Sequence, residues 1–218
     1  MIKAVLFDLD GTLANSLKDL ADAVNYALAV DNFPLREVDE FKMFVGDGIA
    51  KMIERALPDG YKDAETVAAV QKNFLKYYSV HYADNTASYD GVDELLCKLK
   101  DMGLIIAVVT NKAQEMADLV VKKLYGDAFS KVFGKREGVP AKPDPTLALI
   151  AMEELGVKPS ECVFLGDSGM DVATAVNSGA LPVGELWGFR GREELLENGA
   201  KYIIETPAEL IDIIKENS

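Results

Sequence analysis

The sequence predicts an α/β fold, with a Rossmann-like, doubly wound parallel sheet as its core and an inserted all-helical cap domain. An apolar run of strand length, Ala4–Phe7, opens the chain, and alternating strand and helix patterns return near Tyr89. The residues between these regions show helical periodicity alone. We therefore expect a core of residues 1–13 and 87–218, interrupted by a cap of residues 14–86.

Three helical segments predict the cap. Ser16 is a suitable N-cap for the first, which places four apolar residues on one face: Leu17, Leu20, Val24 and Leu28. Gly46-Asp47-Gly48 precedes the second, whose apolar residues are Ile49, Met52, Ile53 and Ala56. The third begins near Ala64 and carries an apolar stripe of Val67, Val70, Phe74, Tyr77 and His81. His81 is thus expected to pack or to lie at a domain boundary.

The second part of the chain alternates as a doubly wound sheet requires. Strands are predicted at residues 104–109, 162–165, 181–183 and 202–204. Helices are predicted at residues 92–102, after Lys112, at 148–155 and at 172–178. Three of these helices are followed by a glycine suited to a helix end: Gly103, Gly156 and Gly179.

Composition and charge restrict the class of protein. The 218 residues include 23 basic and 36 acidic side chains, a net charge of −13 that opposes binding to nucleic acid or to an anionic membrane. The apolar stretches are too short for a signal peptide or a membrane span, so a cytoplasmic location is expected. Cys97 and Cys162 lack the close spacing of a zinc or redox site, and both are interpreted as reduced core residues.

Aspartates follow two of the predicted buried strands. Asp8 and Asp10 come after Ala4–Phe7, and Asp167 and Asp171 come after the strand at 162–165. Because parallel strands share one carboxyl edge, the two acidic loops are expected to converge there. Four carboxylates would repel one another and any phosphate unless a cation were bound. Oxygen ligands without nearby His or Cys favour Mg²⁺ over zinc.

Four segments, in this order, resemble the motifs of the haloacid dehalogenase superfamily: Asp8-Leu9-Asp10-Gly11-Thr12, Thr110-Asn111-Lys112, Lys142-Pro143-Asp144-Pro145 and Gly166-Asp167-Ser168-x-x-Asp171. Within it, three further segments look most like phosphoglycolate phosphatases: Phe44-Val45-Gly46-Asp47-Gly48, Glu54-Arg55-Ala56-Leu57 and Trp187-Gly188-Phe189-Arg190. The resemblance implies a Mg²⁺-dependent phosphatase that hydrolyses a small phosphorylated metabolite through an aspartyl-phosphate.

The chemistry of phosphate-monoester hydrolysis assigns roles to the acidic residues. Asp8 is the expected nucleophile, and Asp10 is the expected general acid and base, which requires it to hold a proton far above the ordinary Asp pKa of about 3.9. The resemblance implies that Asp10 also offers its backbone carbonyl to the metal. Asp167 is the best additional metal ligand, and Asp171 either binds the metal directly or supports a ligand.

The remaining candidates handle the phosphate and the rest of the substrate. Lys142 is expected to supply positive charge near Asp8, and Thr110 and Asn111 to approach the phosphate at the beginning of the next helix. Lys112 either contacts substrate or simply begins that helix. The inserted helices are expected to act as a lid in which Gly48 and its neighbours touch the substrate. Asp47 would repel a substrate carboxylate unless it turned away or paired with Lys51.

Two alternative functions stay open at this stage. A β-phosphoglucomutase-like enzyme keeps both Asp8 and Asp10 and would move phosphate on a sugar phosphate. A non-catalytic phosphate-responsive module could use the same acids, Mg²⁺ and a lysine. Dehalogenases and phosphonate-cleaving enzymes would not need an acid at Asp10. The physiological substrate and the oligomeric state are left undetermined.

Overall fold

A computed structural model describes residues 1–217, which divide into two compact units. One unit contains Met1–Ala14 and the chain from Ser88 onwards, and the other contains Asn15–Ala87. The predicted cap boundaries, residues 14–86, differ from this division by one residue at each end. Within the described residues, no helix is both long and apolar enough to cross a membrane.

The strands of the chain, in order, are β1 (Ala4–Phe7), β2 (Ala14–Asn15), β3 (Ala87–Ser88), β4 (Ile105–Ala113), β5 (Lys131–Lys135), β6 (Cys162–Gly166), β7 (Leu181–Glu185) and β8 (Tyr202–Ile204). Six of them form one parallel sheet in the order β5-β4-β1-β6-β7-β8, and β2 pairs with β3 separately. The predicted Rossmann-like parallel core is therefore confirmed.

The helices are α1 (Leu17–Val30), α2 (Phe41–Phe44), α3 (Ile49–Ala56), α4 (Ala64–His81), α5 (Val92–Asp101), α6 (Gln114–Tyr125), α7 (Thr146–Glu154), α8 (Gly169–Ser178), α9 (Arg192–Glu197) and α10 (Glu209–Glu216). Short 3₁₀ turns occupy Val38–Glu40 and Pro159–Glu161. The sequence did not predict β5, α9 or α10. Strand β5 and helix α9 are short segments, whereas α10 does carry an apolar face, formed by the buried residues Leu210, Ile213 and Ile214.

The central strands are buried because both faces of the sheet are covered. Every residue of β1 and of β6 is buried, which explains why both read as continuous apolar runs instead of alternating ones. One face of the sheet forms a core with α7, in which Phe133 and Phe164 are nearly inaccessible to solvent. The sheet therefore provides a rigid base for residues at its carboxyl edge.

Strand β4 differs from its prediction. It starts at Ile105 and continues to Ala113, so Thr110 and Asn111 lie in an extended segment and not at the beginning of a helix. The strand pairs with β5 as far as Ala113, with an irregularity between Val109 and Ala113. The polar residues Thr110, Asn111 and Lys112 suggested that the strand ends before them, but backbone pairing with β5 extends β4 through these residues.

The cysteine prediction is wrong for one of the two residues. Cys162 is buried in β6, whereas Cys97 is exposed on α5. The buried face of α5 consists of Val92, Leu95, Leu96 and Leu99, and helical geometry turns Cys97 away from it. Both thiols are free.

The helical unit packs α1 against α4. The predicted face of α1 is buried, and the buried residues of α4 are Val70, Phe74 and Tyr78. The stripe therefore ends at Tyr78, whereas Tyr77 is half-buried and stacks on the His81 ring with a centroid separation of 4.2 Å. His81 also contacts Asp84 at 2.7 Å.

A buried carboxylate links the first helix of the helical unit to the unit's last residues. Asp19 of α1 is 2% exposed and accepts hydrogen bonds from the backbone N–H groups of Asn85 and Thr86, at 3.0 and 2.8 Å. It also accepts one from the Thr86 hydroxyl at 2.6 Å. These bonds tie the last residues of the unit to its first helix.

Candidate active site

The candidate site lies at the carboxyl edge of the sheet, where β1 sits between β4 and β6. Asp8 directly follows β1, and its backbone N–H donates to the Leu165 carbonyl of β6 at 3.0 Å. Asp167 directly follows β6. The parallel register that aligns these strands thus brings residues about 160 positions apart in the sequence together.

Three carboxylates form a buried cluster at this edge. Oxygens of Asp8, Asp167 and Asp171 all lie within 4.8 Å of one another, and the residues are 8%, 2% and 1% exposed. Burial raises the pKa of Asp8 to about 6, assisted by the Asp171 charge and opposed by Lys142. Burial also raises the pKa of Asp167, together with the charges of Asp171 and Asp8. The cluster is therefore costly without a cation.

Lys142 places a positive charge inside the cluster. Its ammonium lies 2.9 Å from Asp8 Oδ1 and 2.5 Å from Asp171 Oδ1. Burial alone lowers the pKa of Lys142, but the charges of Asp171 and Asp8 outweigh that effect and raise it. The side chain is 2% exposed and remains charged at neutral pH.

Asn111 holds the loop that carries Lys142. Its amide oxygen accepts from the Lys142 N–H at 2.8 Å, and its amide nitrogen donates to the Lys142 carbonyl at 3.2 Å. Thr110, which is 2% exposed, accepts from the Lys112 N–H at 3.3 Å. Asn111 therefore connects the end of β4 to the lysine loop, a role that the sequence did not predict.

Asp171 is held at the beginning of α8. Its Oδ2 accepts from the Ser168 hydroxyl at 2.5 Å and from the Ser168 N–H at 3.1 Å, and its Oδ1 contacts Lys142. Gly166 is required beside it, since a Cβ there would lie 2.2 Å from the Asp171 Cβ. The arrangement orients Asp171 toward Lys142 as well as toward the acidic cluster.

Asp10 and Lys112 form a second ion pair. The Lys112 ammonium lies 3.0 Å from each Asp10 carboxylate oxygen, and the side chains are 5% and 13% exposed. Asp10 does not belong to the cluster of three carboxylates found among the described residues. Gly11 follows with a φ of 96°, and a Cβ there would lie 2.5 Å from Asp167 Oδ2.

The predicted residues of the inserted helices belong to the other unit. Gly48 precedes α3 with a φ of 89°. Asp47 pairs with Arg55, and Lys51 pairs with Glu54 at 2.8 Å, so the expected alternative pairing of Asp47 with Lys51 does not occur. A role for Gly48 in substrate binding stays a prediction.

Sequence reasoning missed Glu185 at the end of β7. This residue is fully buried, and burial raises its pKa to about 10, with a further contribution from the charge of Asp167. The half-buried Tyr89 is a second residue near the site that the sequence did not indicate. Burial raises the pKa of Tyr89, and the charges of Asp167, Glu185 and Asp10 raise it further. An acid at the end of the apolar segment 181–185 was the available signal for Glu185.

The residues at this site fit a hard divalent cation. The cluster offers carboxylate oxygens, and neither His nor Cys contributes to it. The pKa values of Asp8 and Asp167 are raised by burial and by the charge of Asp171, an effect that a bound cation would relieve. Their oxygen chemistry suits Mg²⁺ better than zinc.

Comparison with known proteins agrees with this geometry. The sequence pattern of the haloacid dehalogenase-like hydrolase family matches residues 2–179. The chain is 34% identical over 219 residues to a phosphoglycolate phosphatase of Chromobacterium violaceum, covering 98% of this chain and 97% of that protein. It is 32% identical over 215 residues to an N-acetylmuramic acid 6-phosphate phosphatase of Pseudomonas aeruginosa, covering 98% and 95%.

Solved structures extend the comparison to the fold. The crystal structure of a candidate phosphoglycolate phosphatase from Lactobacillus delbrueckii subsp. bulgaricus superposes with a TM-score of 0.91 at 29% identity, covering 97% of this chain and 98% of that one. The parallel sheet, the order of the acidic motifs and these matches lead to one conclusion: this chain belongs to the haloacid dehalogenase-like hydrolases and is similar along nearly its whole length to phosphatases of that family.

Proposed function

We propose that this chain is a Mg²⁺-dependent phosphatase that hydrolyses a small phosphate monoester through an aspartyl-phosphate on Asp8. The observation that carries the proposal is the ion pair of Asp8 and Lys142, which lies in a buried carboxylate cluster at the carboxyl edge of the sheet. A nucleophile beside a fixed positive charge suits attack on an anionic ester.

In the first half of the proposed reaction, an Asp8 oxygen attacks phosphorus as the bond between phosphorus and the ester oxygen breaks. Asp10 gives its proton to the departing alkoxide. In the second half, Asp10 takes a proton from water as the water oxygen attacks phosphorus. The bond between phosphorus and Asp8 then breaks, which releases phosphate and restores the Asp8 carboxylate.

The other site residues would neutralise and orient the phosphate. Lys142 offsets negative charge at the reacting group, while the Thr110 hydroxyl and the Asn111 backbone N–H bind phosphate oxygens and the Asn111 side chain holds the lysine loop. Asp8, Asp167, Asp171 and the Asp10 backbone carbonyl would hold Mg²⁺. When bound, Mg²⁺ supplies charge neutralisation for the phosphoryl group and its nucleophile.

Lys112 fits a role close to the acid and base. Its pairing with both Asp10 oxygens favours a functional position over a simple helix start, since β4 continues past it to Ala113. We infer that Lys112 exchanges this contact for one with the incoming phosphate. Exchange would leave Asp10 available for proton transfer.

The names of similar proteins provide the first substrates to test. Phosphoglycolate is our leading candidate because several similar proteins carry that name, and N-acetylmuramic acid 6-phosphate is the second. The pairing of Asp47 with Arg55 neutralises the acid expected to repel a substrate carboxylate. This pairing removes one objection to phosphoglycolate.

The experiment measures phosphate release from a panel that contains both candidates, sugar phosphates, nucleotides and pyrophosphate, with Mg²⁺ and with a chelator. The parent should release phosphate only with metal, and Asp8→Asn should lose at least about 10³-fold in kcat. Near-parental release by Asp8→Asn would reject the nucleophile. Isomerisation of a sugar phosphate without phosphate release would favour the mutase, and lasting phosphorylation without turnover would favour the non-catalytic module.

A further inference from the structure

Glu185 is a buried acid whose hydrogen bonds are confined to one side of its carboxyl group. Its Oε2 accepts from the backbone N–H groups of Trp187 and Gly188, at 2.6 and 3.1 Å. Its Oε1 is buried and has no hydrogen-bond partner among the described residues. Burying a carboxyl group in this way is unfavourable for the fold alone, because an apolar residue at the end of β7 would avoid the cost of desolvation.

The two hydrogen bonds to Glu185 shape the loop that follows β7. The loop starts where the Leu186 N–H donates to the Ile204 carbonyl of β8 at 3.0 Å. The Glu185 carboxyl group then accepts from the next two backbone N–H groups, those of Trp187 and Gly188, and the chain bends from Leu186 onwards. We call residues 185–189 the Glu185 loop.

The Glu185 loop binds both acidic loops of the candidate site. The Phe189 N–H donates to Asp167 Oδ2 at 2.9 Å, and the Trp187 indole N–H donates to the Thr12 carbonyl at 2.9 Å. The Thr12 hydroxyl in turn lies 3.5 Å from Asp167 Oδ1. The orientation of the Asp167 carboxylate therefore depends on where the loop places Phe189 and Trp187.

Gly188 lets the loop approach this closely. A Cβ at position 188 would lie 2.4 Å from the Asp167 Cβ, 2.6 Å from the Gly11 carbonyl oxygen and 2.7 Å from Glu185 Oε1. The backbone of the Glu185 loop is thus packed directly against Asp167 and against the segment that follows Asp10. A small shift of the loop would be transmitted to both.

We propose that Glu185 is a positioning residue that orients Asp167 for metal binding by holding the Glu185 loop against the two acidic loops. This inference rests on the proposed metal site. Groups that orient metal ligands typically contribute 10- to 100-fold to metal affinity, which sets the size of the expected effect.

The test compares Mg²⁺ dissociation constants of full-length variants by calorimetry. Glu185→Met keeps the length of the side chain but removes the acceptor, and its dissociation constant should rise about 10- to 100-fold. Glu185→Gln keeps an amide oxygen that accepts from both backbone N–H groups, and it should stay within about threefold of the parent. Glu154→Met is the matched control, since Glu154 is a surface acid paired with Lys131 outside the site.

A structural role alone would give a different result. Glu185→Met would then lower the melting temperature of the metal-free protein while the Mg²⁺ dissociation constant stayed parental, and this outcome would overturn the inference. An affinity loss in Glu185→Gln as large as in Glu185→Met would also overturn it, because the acceptor would then not be the feature that matters.

Trp187→Phe provides the second variant in case Glu185→Met does not fold. It keeps Glu185 but removes the indole N–H that binds the Thr12 carbonyl, and we expect about a 3- to 10-fold weaker Mg²⁺ affinity. A parental dissociation constant in Trp187→Phe would reject the role of the loop. If the parent itself bound no Mg²⁺, both the proposed metal dependence and this inference would be rejected. If the parent bound Mg²⁺ and the variants bound it equally well, only this inference would be rejected.

Discussion

Replacing Lys142 with methionine should destabilise the core unit strongly in metal-free buffer. The substitution retains most of the apolar stem but removes the ammonium that lies 2.9 Å from Asp8 Oδ1 and 2.5 Å from Asp171 Oδ1. Asp8 and Asp171 are 8% and 1% exposed, so water has little access to hydrate the carboxylates that lose their partner. Removing one partner of a buried ion pair typically costs about 3–5 kcal/mol, and we expect a loss in this range.

The single tryptophan makes the measurement specific to the core unit. Trp187 lies beside the site, so its fluorescence during urea unfolding reports the unit that contains Lys142. Unfolding of the parent and of Lys142→Met should be compared in chelator and again in saturating Mg²⁺. Because a cation can replace part of the lost charge, Mg²⁺ should stabilise the variant more than it stabilises the parent.

Lys131→Met is the control for the loss of a lysine. Lys131 pairs with Glu154 at the surface, where half of its side chain is exposed, and removing such a pair should change the unfolding free energy by about 1 kcal/mol or less. If Lys142→Met cost no more than this control in chelator, the buried charge balance described for the cluster would be refuted.

Three further predictions concern other parts of the chain. Asp10→Asn should slow both halves of the reaction with an alkyl phosphate, and parental rates of both halves with that ester would reject its acid and base role. Only Cys97 should react with a thiol reagent in the native protein, since Cys162 is buried and burial raises its pKa to about 12, whereas both should react in urea. Asp19→Ala should cost about 2–4 kcal/mol in unfolding of the helical unit, followed by circular dichroism, because Thr86 loses its charged acceptor. Burial alone raises the pKa of Asp19, but the hydrogen bonds from Thr86 and Asn85 outweigh burial and lower it. The stabilisation that Asp19 provides should therefore be complete above the unfolded pKa of about 3.9 and disappear as pH falls through the folded pKa. A difference in unfolding free energy between the parent and Asp19→Ala that did not change with pH would contradict this reasoning.

Local patterns were sufficient to predict most of the architecture. The strand Ala4–Phe7 and the start of α4 at Ala64 match their predictions, because a continuous apolar run and a 3.6-residue stripe are strong signals. The predicted end of β4 at Val109 and the predicted burial of Cys97 were wrong. Each depends on a neighbouring element, through the pairing of Ala113 with β5 and the packing of α5, which local sequence does not specify.

The order of apolar and polar residues was enough to predict a parallel α/β core, to identify the acids that follow its buried strands, and to place those acids at one edge of the sheet. The contacts between charged groups became visible only in the folded chain: Lys142 contacts Asp8 and Asp171, Lys112 contacts Asp10 across 102 positions of sequence, and the loop after Glu185 reaches Asp167. The physical reason is that apolar periodicity encodes which residues are buried, whereas a contact between two polar side chains depends on strand register, loop path and rotamer together.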